Sequence, residues 1–177
     1  MRIKLLIITV SLIISHISIT GSIADEFSEP EKIALEYMTA FFHGNLELSF
    51  SLMHPDVLEK QKSSIIEAYD NAKKNGNAEK FRQSFHNIDD LDSTLKLPAK
   101  DLFIFLTKKY RERAPEQFKE AMKNTVVRVV GSSSLENGSV RVSLEVTTPT
   151  KSGPHKQSTG LVLSKYDGNW RVVKNAK

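Results

Sequence analysis

The feature that most restricts the fold is a change of hydrophobic period near Thr125. Upstream, apolar residues recur three and four apart, as on one face of a helix. Downstream, Val140, Val142, Leu144 and Val146 alternate with Arg141, Ser143, Glu145 and Thr147, as in an antiparallel strand with one buried face. Two tight turns are written into the strand half. Asn137-Gly138 and Asp167-Gly168 supply residues that accept positive φ, which two-residue hairpins require. The pattern predicts strands over 125–130, 140–147, 156–166 and 169–174, with a loop over 149–155. Helices first and strands last predict an α+β domain, its N-terminal helices packed on a C-terminal four-stranded antiparallel curved sheet.

The helical half is divided by its own punctuation. Glu29-Pro30-Glu31 suits a first turn, where proline costs no hydrogen bond and acids meet the positive end of the helix. Ile33, Tyr37, Ala40 and Phe41 continue that helix to a stop at Gly44-Asn45. Asn45 then caps a short second helix carrying Leu48, Leu52 and Met53. After the break at His54-Pro55-Asp56, a third helix spans 56–74 with Leu58, Ile65, Ile66 and Tyr69 as its stripe. Further helices are predicted over 78–86, 99–111 and 115–122, with a polar, acidic connection over 87–96.

The first 24 residues have a different pattern. Arg2 and Lys4 precede an apolar run from Leu5, and Ser22-Ile23-Ala24 forms a small-residue cleavage site ahead of Asp25. That order predicts a signal peptide and an exported protein, periplasmic or secreted, with no stable membrane span after cleavage. The mature chain of 153 residues fits one domain, 25–177, large enough to bury a core without staples. The chain has no cysteine, which excludes thiol catalysis, disulfides, cysteine zinc sites and lipidation at an N-terminal cysteine. The formal net charge of +4 falls to +2 once Arg2 and Lys4 leave with the leader. So weak an excess gives no ground for a nucleic-acid partner.

Two stretches carry a family likeness. Residues 40–56, AFFHGNLELSFSLMHPD, and residues 166–173, YDGNWRVV, resemble the opening and the closing hairpin of the nuclear transport factor 2-like superfamily, the α+β cone. In that likeness a helix ends in a Gly-Asn turn, a short helix follows, and a proline–acid break leads on. The closing hairpin carries Gly-x-Trp. The resemblance implies helices wrapped on a curved sheet with a pocket between them. It implies no particular activity, because the fold hosts enzymes, binding modules and scaffolds. The helical middle, 56–122, is longer here than in compact members.

Several residue groups are candidates for chemistry. His54 and Asp56 would lie near the pocket mouth by the resemblance, where an imidazole and a carboxylate can do acid–base work. The same residues also suit a plain helix start. Among the aromatics, which also include Phe42, Phe50, Phe81, Phe85, Phe105 and Phe118, the residues Tyr37, Phe41, Tyr69, Phe103 and Trp170 are candidate lining for an apolar ligand, although an ordinary core is the favoured reading. Asp89, Asp90 and Asp92 miss the spacing of a calcium loop. Lys108, Lys109, Arg111 and Arg113 end a helix, where cations are favoured, and Lys151, His155 and Lys156 lie on a hairpin loop. No G-x-G, H-E-x-x-H or G-x-S-x-G motif occurs, and no metal or cofactor is expected.

These features lead to an exported, non-enzymatic domain that binds an apolar small molecule or an envelope protein. Two alternatives are a lyase or isomerase of the same fold using His54 and Asp56, and an inhibitory, immunity-type interaction protein. A homodimer through the open face of the sheet is a further candidate, although Arg128, Arg141, Ser143 and Glu145 make that face polar.

Overall fold

The computed structural model describes residues 27–85, 88 and 90–176, so the signal peptide expected at 1–24 lies outside the described residues, as do His86 and Asp89. Among the described residues, seven helices precede four strands in the order expected of an α+β chain. They are α1 Glu29–His43, α2 Leu46–Ser51, α3 Pro55–Lys74, α4 Ala78–Ser84, α5 Leu91–Thr94, α6 Ala99–Arg113 and α7 Glu116–Lys123. The strands are β1 Val126–Ser134, β2 Val140–Thr150, β3 Gly153–Tyr166 and β4 Asn169–Ala176, paired antiparallel in the order β1-β2-β3-β4.

Local chemistry fixes where α1 begins and ends. The backbone N–H and the hydroxyl of Ser28 both donate to Glu31 Oε2 at 2.7 Å, closing a capping box over the first turn. The other Glu31 oxygen accepts from Ser132 Oγ at 2.8 Å, which ties the helix start to β1. These bonds hold the Glu31 carboxyl below its ordinary pKa, the Ser28 side chain contributing most. The helix stops at Gly44, whose φ of 88° lies in the left-handed region. Asn45 Oδ1 then accepts from the Leu48 N–H and starts α2, of which Leu46, Ser49 and Phe50 are the buried side chains and Leu48 only half so.

The buried face of the sheet receives α1. Val142, Leu144, Leu161, Leu163 and Val172 pack with Ala34, flanked by Ile33, Tyr37, Met38 and Trp170. Each large aliphatic closed off from water contributes about 1.5–3 kcal/mol. A second cluster joins α2, α3 and α6 through Leu46, Phe50, Leu58, Ala99 and Ile104. A third joins α3, α6 and the α5 segment through Tyr69, Ile88, Leu91, Leu95 and Leu102. Register shifts at Val129/Gly131 and Val162/Leu163 mark bulges, which bend the strands that contain them.

The free edge of β4 is covered at Val172. Met53 forms a parallel bridge to Val172, the Val172 N–H donates to the Leu52 carbonyl at 2.9 Å, and the His54 N–H donates to the Val172 carbonyl at 2.8 Å. This segment satisfies backbone groups that an edge strand leaves open.

The structure differs from the sequence pattern at several points. β1 runs to Ser134, past the predicted 125–130, and Asn137-Gly138 lies in a five-residue connection, 135–139, where Gly138 has positive φ and Asn137 does not. The loop expected over 149–155 is mostly strand, because β2 and β3 stay paired to their tips through Pro149↔Pro154 and Thr150↔Gly153. Within the polar 87–96 segment, α5 forms because Asp90 Oδ1 accepts from the Ser93 N–H at 2.9 Å and Leu91 is buried against α3 and α6.

Candidate functional site

His54 and Asp56 meet at the start of α3. The Asp56 N–H donates to His54 Nδ1 at 3.3 Å, so the proton of the neutral ring sits on Nε2. The ring lies edge-on to Tyr166, centroids 4.7 Å apart, and the imidazole is 14% exposed. The Asp56 carboxylate approaches Nδ1 no closer than 4.0 Å and is 82% exposed. The geometry makes His54 the cap of α3 and points its carboxylate neighbour at water.

The five aromatic candidates are distributed over all three clusters. Tyr37 and Trp170 flank the α1–sheet layer, Phe41 and Phe103 the second cluster, and Tyr69 is buried in the third. Burial pushes the Tyr37 hydroxyl above its ordinary pKa. Burial does the same to Tyr69, whose hydroxyl donates to Asp92 Oδ2 at 3.1 Å. Asp92 also receives Lys73 at 3.4 Å, so the two described acids of the acidic stretch serve a helix cap and a packing contact. Among the described residues, no three His, Asp or Glu side chains gather in a way that could hold a metal ion. Among the same residues, no helix is long and apolar enough to cross a membrane.

A cleft of about 380 Å³ opens where the end of α1, the last turns of α6 and one face of α7 come together. Its apolar surface comes from Phe42, Leu46, Phe118 and Met122. On α7, Phe118, Ala121 and Met122 recur at helical spacing, yet none of the helix's residues is fully buried. Phe118 is 40% exposed and stands edge-on to Tyr110, centroids 6.4 Å apart. A second cleft, of about 690 Å³, lies on the other flank of α7 against the Thr148–Lys151 end of the β2–β3 hairpin and shares Phe118.

The rim of the first cleft is basic: Lys108, Arg111, Lys119 and Lys123 face it with a single carboxylate, Glu112. The Arg111 guanidinium donates to the carbonyls of Phe41 and Phe42 and stands 5.0 Å from the Phe41 ring centroid. It thereby caps α1 and offsets the negative end of that helix. Burial holds its pKa below the usual guanidinium value. His43 Nε2 donates to the Thr125 carbonyl at 3.1 Å, and Thr125 Oγ1 donates to the Ala121 carbonyl at 2.8 Å, so the α7–β1 junction is tied to the end of α1.

Of the sequence candidates, Lys108 and Arg111 belong to this cleft. Phe42 and Phe118 belong to the chain's aromatic set, but Leu46 and Met122 carry no such signal, and the four come from two stretches, 42–46 and 118–122, that are far apart in sequence. The signal at α7 is its apolar stripe, Phe118, Ala121 and Met122 at helical spacing. No family model, curated protein or solved structure matches this chain.

Proposed function

We propose that the protein is an exported, non-enzymatic binding domain of the nuclear transport factor 2-like type, and that it binds its ligand in the α1–α6–α7 cleft. The observation that carries this reading is the incomplete burial of α7. An amphipathic helix turns Phe118 and Met122 into a concave surface that none of the described residues fills. At about 380 Å³ the cleft falls within the roughly 300–1,000 Å³ typical of small-molecule sites. By contrast, the α1–sheet layer, where a cone would hold its pocket, is packed with fully buried aliphatic side chains.

The family reading is supported by the Gly44 stop, the short α2, the proline break at Pro55 and the closing β3–β4 hairpin, whose Trp170 packs on the core. Export is supported by the leader-like sequence of 1–24.

Native mass spectrometry of residues 25–177, purified gently from the exporting cell's envelope or medium, tests the binding reading. The expected result is a reproducible added mass of a few hundred daltons that disappears in Phe118→Asp. A bare chain, or an added mass that survives that substitution, overturns the assignment to this cleft.

A further inference from the structure

We infer that the ligand of this cleft is an amphiphile with one anionic head group, of the kind a medium-chain fatty acid presents. The inference rests on the binding reading above and adds the chemistry of the occupant. Phe42, Leu46, Phe118 and Met122 offer an apolar surface with no hydrogen-bonding pattern, which suits an alkyl chain rather than a sugar or a nucleotide. Met122 is unbranched and adapts to chains of different shape.

The head group follows from charge. Four basic side chains line the cleft beside one acid, and that acid, Glu112, is already held by Lys109 at 2.9 Å. The ends of α1, α6 and α7 each bring roughly half a negative charge. Two outside acids complete the balance: Glu47 on Lys108 at 2.8 Å and Glu116 on Lys119 at 2.7 Å. Both pairs are exposed, and exposed pairs of this kind contribute little and exchange easily. Lys123 has no ion-pair partner within 4.0 Å among the described residues. A carboxylate entering the cleft therefore takes the place of side chains that swing back into water. A cationic head finds basic side chains on the rim and only one acid, which Lys109 already holds, and a neutral head gains nothing from them. Arg111 is already committed to the α1 carbonyls, so it sets the position of the rim while Lys119 and Lys123 supply the contact.

Calorimetric titration of residues 25–177 with sodium decanoate, decanol and decyltrimethylammonium chloride tests the inference. Decanoate should bind at least about tenfold more tightly than decanol. The double substitution Lys119→Gln with Lys123→Gln should bring decanoate down to the level of decanol and leave decanol unchanged. Phe118→Asp should remove both. Thermal melts of each variant establish that it is folded. Equal affinity for decanoate and decanol, both lost in Phe118→Asp, overturns the head-group inference and leaves the cleft in place. Tightest binding of the quaternary ammonium overturns it as well. Absence of binding by all three overturns the cleft reading itself, and this inference with it.

Discussion

Between α1 and the sheet, Val142, Leu144, Leu161 and Leu163 are closed off from solvent, whereas beside α7 the large apolar side chains stay open, Tyr110 51% and Phe118 40% exposed. Both regions pair a helix with other elements through an apolar stripe. In the first, the strand face is wide and continuous, so α1 is seated along its length. In the second, α7 has eight residues and packs mainly on α1 and β2, with Phe118 edge-on to Tyr110 of α6, and none of its residues becomes fully buried. The contrast separates two uses of apolar residues: closed contacts hold the domain together, and open ones are available to a ligand.

The largest effect should come from the closed region. Leu161→Ala or Leu144→Ala should lower the unfolding free energy in urea by about 2–5 kcal/mol, the usual cost of emptying a core leucine site. Phe118→Ala, although it removes a larger side chain, should stay within about 0.5 kcal/mol. Equal losses would break the comparison.

Gly44→Ala sharpens it at the boundary between the two regions. The left-handed φ of 88° should cost about 1–2 kcal/mol for any residue with a Cβ. His54→Ala removes the cap of α3 and the contact with Tyr166, and should cost about 0.5–2 kcal/mol while decanoate binding is unchanged.

The smallest effect concerns acid. The Glu31 carboxyl is held below its ordinary value in the fold, so its contribution is present above the unfolded pKa and fades as pH falls through the folded one. Glu31→Gln should therefore lower the melting temperature near neutral pH and shrink that difference toward about pH 3. A constant difference across the range would contradict the role of Glu31 in joining α1 to β1.

Much of the fold was legible because its signals are local. The turn at Asp167-Gly168 has both residues at positive φ, 47° and 78°, as an Asp-Gly pair allows. Pro30 and Pro55 open helices, and Gly44 closes one. What escaped the sequence depends on partners. Pro149 and Pro154 suggest a loop, yet they stand opposite each other at the tip of a hairpin whose paired strands hold them extended. The α5 segment reads as polar, and only the Tyr69 and Leu102 surface makes Leu91 a buried anchor. The cleft was the least legible feature, since Phe42, Lys108 and Phe118 meet only after α1, α6 and α7 have docked. The sequence placed His54 at a helix start, and the structure adds the backbone bond and the Tyr166 contact that explain it.

Amide hydrogen exchange of residues 25–177 with and without sodium decanoate tests the central claim most directly, because it reports both regions in one experiment. Slowed exchange confined to residues 42–46, 108–112 and 118–123 is the predicted result. Slowing at residues 33–38 and 161–163, with the α7 segment unaffected, would place the ligand between α1 and the sheet and contradict the account.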